Sequence, residues 1–243
     1  MLRRVVIKLS GEAIGSEHGY DDSIIKSIVE QIILLVQTRM QVALVVGGGN
    51  YWRGRHSCSD MDRVKSDQMG MLATVMNALY LQDMFRRHGQ KAKVVTPFQI
   101  GNITEMYERD SALEMLESGM VLINAAGLGH PMFSTDTIAA LRAAELEADC
   151  ILFAKNTDGV YDSDPHKNLA AKKYRTLSYR TAIEKDLNIT DMSALHLAQQ
   201  AEIPSYVFSL NAPNSITLAG SYPETGNLNG TYVCARSVEI WHD

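Results

Sequence analysis

Three apolar runs in this chain each end in a loop of glycine and polar residues. Arg4-Val5-Val6-Ile7 leads into Lys8-Leu9-Ser10-Gly11, and Val42-Ala43-Leu44-Val45-Val46 into Gly47-Gly48-Gly49-Asn50. Met120-Val121-Leu122-Ile123 leads into Ala126-Gly127-Leu128-Gly129. Each run reads as a strand and each loop as its carboxyl end, the edge of an open α/β sheet at which ligands bind. Glycine lets main-chain N–H groups come close to an anion. An edge with three such loops suits a ligand that carries several phosphates in a row.

Strand and helix signals alternate along most of the chain. Strands are expected at Arg4–Leu9, Gln41–Val46, Lys93–Thr96, Met120–Asn124, Cys150–Phe153, Ser205–Ser209 and Gly230–Ala235, the last preceded by a turn at Gly226–Asn229. A helix from about Asp22 to Thr38 starts from Asp21 or Asp22 as N-cap. Its Ile24, Ile25, Ile28, Ile32, Leu35 and Val36 fall near helical spacing and face the sheet. Further helices are expected at Ser66–His88 with Gly89 just past its end, Ser111–Glu117 stopping at Gly119, Thr135–Glu147, Tyr179–Lys185 and Met192–Gln200. Asn156–Pro165, rich in Asp, Asn, Ser and Gly, reads as a hairpin or turn-laden loop. Alternating βα units imply an α/β fold, a mostly parallel central sheet sandwiched by helices. The 243 residues form one body with two lobes, about 1–150 and 151–243.

The charge balance narrows the partners. Net charge is −5 with no run of like charges, which argues against duplex nucleic acid. Cys58, Cys150 and Cys234 are odd in number and widely spaced, so neither a disulfide framework nor a zinc site is indicated, and a reducing cytoplasm fits. The apolar stretch Ile24–Val36 is broken by Lys26, Glu30 and Gln31 and is too polar to span a bilayer. The first apolar run reaches Lys8 too soon for a signal peptide and reads as a strand.

Several loop residues suit phosphate chemistry. Lys8 at a strand end is ordinary surface by itself, but beside Ser10 and Gly11 it can reach phosphate oxygens as a point charge. Three glycines at 47–49 exceed what a turn needs. Arg53 in the same loop offers a guanidinium fork. Neither GxxxxGK[ST] nor a Rossmann GxGxxG with its acidic residue is present, so NAD binding and Walker-type hydrolysis lose ground. Asp67, near a helix start, either complements the helix dipole or accepts bonds from sugar hydroxyls. Met69, Met71 and Met76 read as core. Ser134 and Thr135 open a helix whose free N–H groups form an anion site. Asp136 either caps that helix or orients lysines, and His130 is a solvated or base-contacting side chain. Lys155 ends a strand and can neutralise charge on a transferring group. Tyr161 offers a flat face for a purine, and Asp164 an acceptor for ribose hydroxyls.

These loops in this order resemble the amino acid kinase superfamily, and within it the bacterial uridylate kinases. The resemblance rests on Val6-Ile7-Lys8-Leu9-Ser10-Gly11-Glu12-Ala13, Val46-Gly47-Gly48-Gly49-Asn50 with Trp52-Arg53-Gly54, and Asp67 through Asn77. It continues through Phe133-Ser134-Thr135-Asp136, Asp158-Gly159-Val160-Tyr161 and Asp164-Pro165. It covers nearly the whole chain. It implies phosphoryl transfer from ATP, carrying Mg²⁺, to UMP. Lys8, Leu9, Ser10, Gly11, Gly49, Arg53, Asn156, Tyr161 and Asp164 would hold ATP. Gly48, Asp67 and the loop Leu128, Gly129, His130, Pro131, Met132, Phe133, Ser134 and Thr135 would hold UMP. Lys8, Asp136 and Lys155 would be the catalytic set, with no protein-held metal. It further implies a cytoplasmic homohexamer, activated by GTP and inhibited by UTP, that serves pyrimidine nucleotide synthesis, with the first lobe binding UMP and the second ATP.

The chain departs from the family pattern in three places. The acceptor loop reads Gly127-Leu128-Gly129-His130-Pro131-Met132 where the family has Gly-Thr-Gly-Asn-Pro-Phe or Gly-Thr-Gly-Phe-Pro-Tyr, so Leu128 lacks a threonine hydroxyl that would face UMP. The loop Ala154-Lys155-Asn156-Thr157-Asp158 is one residue shorter than the similar form. The tail after about Leu218, including Trp241, follows no family pattern. Two alternatives stay open on these grounds. One is a kinase of the same superfamily with another acceptor, such as an amino acid or carbamate. The other is a catalytically silent nucleotide- or oxyanion-binding protein.

Overall fold

A computed structural model describes residues 2–16, 19–52, 60–165, 167–187, 189–221 and 229–242. In chain order the elements are β1 (Arg4–Leu9), α1 (Gly11–Ile14), β2 (Gly15–Ser16), β3 (Gly19–Tyr20), α2 (Asp22–Gln37), β4 (Gln41–Val46) and α3 (Arg63–Arg87). Next come β5 (Ala92–Thr96), β6 (Glu105–Met106), α4 (Arg109–Glu117), β7 (Val121–Asn124), α5 (Thr135–Glu145) and β8 (Cys150–Lys155). The chain closes with β9 (Val160–Tyr161), β10 (Lys173–Ser178), α6 (Tyr179–Glu184), α7 (Met192–Gln200), β11 (Ser205–Ser209), α8 (Ser215–Ser221), β12 (Thr231–Cys234) and β13 (Glu239–Trp241).

Apart from the small β2–β3 pair, the strands join one sheet in the order β13-β10-β12-β11-β8-β1-β4-β7-β5-β6, with β9 paired to β10. From β11 to β6 every neighbour is parallel. The antiparallel joints lie beyond, at β11–β12, β10–β13 and β9–β10. β1 sits between β4 and β8, so the chain leaves it in opposite directions. The carboxyl ends of β1, β4 and β8 therefore border the crevice that such a reversal creates.

The strand sequences explain the two-sided core. Alternate side chains of a strand point to opposite faces. Val5, Ile7 and Leu9 join one cluster with Ile25, Ile28 and Ile32 of α2, Leu81 and Phe85 of α3 and Ile216 of α8. Val6 joins the other with Leu116 of α4, Ile138 and Ala139 of α5, Tyr179 of α6 and Leu195 of α7. Burial of each such aliphatic side chain stabilises the fold by about 1.5–3 kcal/mol relative to exposure. The same alternation sends Lys8 and Lys155 to the α5–α7 side, because Val6, Ile151 and Phe153 point there.

Helix starts follow their caps. Asp21 caps α2, accepting from the N–H groups of Ser23 and Ile24 at 3.0 and 3.1 Å. α3 begins earlier than expected, because Asp62 accepts from Lys65 N–H at 3.0 Å. Gly89 and Gly119 both take a φ of +78°, which ends the preceding helices as glycine does. Met69 and Met76 correct the core expectation. With Leu72 they form an exposed stripe on α3, and only Met71 packs against the core.

Candidate active site

The carboxyl ends of β1 and β8 bring Lys8 and Lys155 together on Asp136, in the first turn of α5. Lys8 Nζ lies 2.8 Å from Asp136 Oδ1, and Lys155 Nζ lies 3.2 Å from Oδ2. Thr190 donates its hydroxyl to the same Oδ2 at 2.6 Å. Burial would raise the Asp136 pKa. The charges of Lys8 and Lys155, with bonds from Lys8 and Thr190, overcome that and hold it far below the usual carboxylate range. Burial is also the largest influence on Lys155 and lowers its pKa. Asp136 opposes that fall and Lys8 adds to it. Two ammonium groups thus share one carboxylate. Small residues on α5, Ala139, Ala140 and Ala143, are fully buried and let the helix lie close to the strands.

The start of α5 is linked to the start of α7. Ser134 caps α5, accepting from the N–H groups of Asp136 and Thr137 at 3.0 and 3.3 Å. Asp191 caps α7, accepting from Ala194 N–H at 2.9 Å. The Asp191 carboxylate also accepts from the hydroxyls of Ser134 and Thr137. A cleft of about 650 Å³ opens in front of these two helix ends. Gly48, Trp52, Asp67, Gly70, Thr74, His130, Met132, Phe133, Ser134, Thr135, Asp136, Lys155, Thr190 and Asp191 are among its walls.

Two non-glycine residues in the loop between β7 and α5 take the left-handed conformation: Ala126 at φ +59° and Met132 at +74°. Both are held from α3. Ala126 N–H donates to Thr74 Oγ1 at 2.7 Å, and Met132 N–H to Asp67 Oδ2 at 2.8 Å. Strain of this kind gathers at ligand sites and persists only where surroundings fix it. Asp67 also pairs with Arg63 at 3.0 Å, so its carboxylate braces the loop. Gly129 takes φ +77°, while Leu128 packs its side chain against the α5–α7 core.

The glycines after β4 have a reason within the chain itself. A Cβ on Gly11 would lie 2.6 Å from both Gly47 O and Gly49 N, and one on Gly48 would lie 2.8 Å from Gly70 O. Backbone crowding between the first loop, the second loop and α3 demands glycine there, whatever binds. Asn77, fully buried on α3, donates to Gly47 O at 2.7 Å and exchanges amide bonds with Asn50 at 2.7 and 3.0 Å.

A family model described as the amino acid kinase family matches residues 3–209. The chain belongs to the amino acid kinase family. Among solved structures, UMP kinase from Bacillus anthracis superposes with a TM-score of 0.93 at 31% identity, over 100% of this chain and 99% of that one. UMP kinase from Ureaplasma parvum gives 0.89 at 34% identity, over 96% and 99%. Uridylate kinase from Archaeoglobus fulgidus gives 0.69 at 25% identity, over 95% and 99%.

In this amino acid kinase chain the expected residues divide. Lys8, Asp136 and Lys155 form one cluster. Gly48, Asp67, His130, Met132, Phe133, Ser134 and Thr135 share the cleft wall with its Asp136 and Lys155. Leu9, Ser10 and Gly11 lie at the end of β1 against the Gly47–Gly49 loop, and Pro131 belongs to the same loop as His130. On the other side, Asn156 is exposed just past β8. Tyr161 donates to Asp158 Oδ1 at 2.8 Å, with burial first and that bond second pushing its pKa up to about 12. Asp164 is exposed and lies 3.5 Å from Lys167. Arg53, Gly54, Cys58 and the Gly226–Leu228 part of the expected turn lie outside the described residues. Thr190, Asp191, Thr74 and Asn77 were not singled out as site residues. The signal available was Asp191 followed by an apolar helical pattern, an N-cap like that of Ser134.

Among the described residues, no helix is long and apolar enough to cross a membrane and no cluster of three His, Cys, Asp or Glu side chains is placed to hold a metal ion.

Proposed function

We propose that this chain is a UMP kinase, passing the γ-phosphoryl group of MgATP to the α-phosphate of UMP. The observation that carries the reading is the Lys8–Asp136–Lys155 cluster at the head of the cleft. Its two cations share one directly paired anion, Asp136, with Asp191 a weaker influence on Lys155, which leaves the pair able to take phosphate oxygens. Support comes from membership of the amino acid kinase family and from likeness along the whole chain to proteins named UMP kinase.

An oxygen of the UMP phosphate attacks the γ-phosphorus, a new P–O bond forms, and the bond from that phosphorus to the oxygen bridging to the β-phosphate breaks. The products are UDP and ADP. The acceptor is already anionic near neutral pH, so the reaction asks the protein for alignment and charge cancellation rather than proton removal. Lys8 and Lys155 serve the charge that spreads over the transferring group, and Asp136 aims them. The amino end of α5, whose Asp136 and Thr137 N–H groups are capped by Ser134, suits the UMP phosphate through its helix dipole. Gly48, Asp67 and residues Leu128 to Thr135 form the UMP side. Lys8 to Gly11, Gly49, Arg53, Asn156, Tyr161 and Asp164 form the ATP side. Within one domain, the UMP side lies in the lobe of about 1–150, and the ATP side joins residues of that lobe to Asn156, Tyr161 and Asp164 of the lobe of about 151–243. The Leu128 side chain packs against the α5–α7 core, so its lost hydroxyl does not argue for another acceptor.

The proposal extends to a homohexamer in the cytoplasm, activated by GTP and inhibited by UTP, in pyrimidine nucleotide synthesis. The exposed α3 stripe of Met69, Leu72 and Met76 supports self-association, because a lone chain leaves it in water. A coupled assay of UMP, CMP and dCMP phosphorylation by ATP, with and without GTP, tests the reading. UMP is expected to be the preferred acceptor with GTP raising the rate. Turnover of another acceptor class in place of UMP, or ATP binding without any turnover, contradicts it.

A further inference from the structure

We infer that Thr190 is a positioning residue of the phosphoryl-transfer centre, fixing the plane of the Asp136 carboxylate so that Lys8 and Lys155 converge on one phosphate; this rests on the kinase reading above. Three groups meet the Asp136 carboxylate, Lys8 as an ion pair and Lys155 and Thr190 as hydrogen-bond donors. Lys8 takes Oδ1 at 2.8 Å, Lys155 takes Oδ2 at 3.2 Å, and Thr190 takes Oδ2 at 2.6 Å. The lysines are long and flexible, and a carboxylate turns about a broad torsion, so these two alone hold each other loosely. Thr190 is short and β-branched, hence stiff.

The backbone beneath Thr190 is pinned on both sides. Ile189 is 1% exposed in the α5–α7 core. Asp191 caps α7 and accepts from Thr137 Oγ1 of α5 at 3.0 Å. Two adjacent residues therefore grip α5 at neighbouring points, one through the reacting cluster and one through the helix end. Thr190 also lines the cleft, where a hydroxyl serving burial alone has water available instead. Its aim at the carboxylate fits orientation of that group.

Thr190→Val keeps the shape and removes the donor, while Thr190→Ser keeps the donor. With full-length protein, Val is expected to lower kcat about 10- to 100-fold, the scale of one bond to a charged group or of a small misplacement. KM for both nucleotides and the melting temperature should stay close to wild type, and Ser should restore kcat to within about threefold. A Val variant with wild-type kcat overturns the inference, as does equal loss in Val and Ser or a loss that follows melting temperature. A crystal structure of Thr190→Val supplies an arm that needs no turnover. A turned carboxylate with a lengthened Lys155 contact supports the inference, and both lysine contacts unchanged at 2.8 and 3.2 Å overturn it. If wild type phosphorylates a different acceptor, the UMP reading fails while the variants are judged with that acceptor. If it phosphorylates none, the kinase reading fails and the crystal decides for Thr190.

Discussion

At the crevice, Lys8 and Lys155 share Asp136; near the C-terminus, Lys173 has Asp158 to itself. Lys173 Nζ lies 2.8 Å from Asp158 Oδ2 and 3.1 Å from Asn229 O, and it also meets Asn229 Oδ1. Asp158 accepts from Tyr161 and from Asn229 Nδ2 as well. One cation there meets one anion, and the remaining bonds are closed among neutral groups. In the first cluster the buried Lys8 and the partly buried Lys155 share one directly paired carboxylate, with Asp191 a weaker influence on Lys155, an arrangement that favours the arrival of another anion. Charge left over, rather than the lysine–aspartate contact as such, separates a site that recruits phosphate from one that ties loops together.

The largest test of this contrast is charge removal at the crevice. Lys8→Ala should lower kcat by about 100- to 1000-fold, the scale of a lost transition-state donor, in the coupled assay. Asp136→Asn should fall in the same range, because both lysines lose their aim. A near-wild-type kcat for either variant breaks the contrast.

Lys173→Met should act on stability instead. It strands the Asp158 carboxylate and the Asn229 oxygens, with an expected cost of about 1–2 kcal/mol in chemical denaturation. Its kcat should stay within about tenfold of wild type. A kcat loss as deep as that of Lys8→Ala would make the second cluster part of the reaction.

The pH dependence sharpens the comparison. Burial lowers the Lys155 pKa, so its charge is lost at a lower pH than that of an ordinary lysine. The rate should therefore fall on the alkaline side before the normal lysine value of 10.5 is reached. Lys155→Arg, which stays charged, should carry the plateau further. On the acid side Asp136 has a folded pKa below its unfolded one. Its contribution to stability is complete above the unfolded value and is lost as pH falls through the depressed one. Urea titrations at decreasing pH should show stability declining below about pH 4, and Asp136→Asn should flatten that slope.

The smallest effect is expected at the tail. Trp241 of β13 stacks on Tyr174 of β10 at 3.9 Å between ring centroids. Trp241→Leu should cost about 0.5–1.5 kcal/mol and leave kcat unchanged. A large loss of activity would tie the tail to the reaction.

The sequence made the parallel half legible because its strands are apolar at nearly every position and their loops are marked by glycine. β1, β4 and β11 have the expected limits, and β8 runs two residues further, to Lys155. The antiparallel half was harder to read. β10, Lys-Tyr-Arg-Thr-Leu-Ser, mixes charge with its apolar residues and was passed over. The tail that follows no family pattern nonetheless supplies β12 (Thr231–Cys234) where a strand was expected at Gly230–Ala235, inside the sheet between β10 and β11. In the site, position marked Lys8 and Lys155 as strand ends and Asp136 as a helix start, the family resemblance joined them as one set, and strand parity with the helix start sends them to one place. Thr190 was not marked, because its value depends on α7 lying beside α5. The glycine loops were legible as special, but their immediate cause is contact between Gly11 and Gly47–Gly49. The exposed methionines of α3 were misread because helical spacing shows a shared face without saying what covers it.

A crystal structure with UMP and a non-hydrolysable ATP analogue bound together would bear hardest on the idea that the crevice lysines hold spare charge for two nucleotides. The γ-phosphate should lie within hydrogen-bond distance of Lys8 and Lys155, facing a UMP phosphate at the start of α5, with Asp136 still between the lysines. Nucleotides seated elsewhere, or phosphates that leave both lysines untouched, would contradict it.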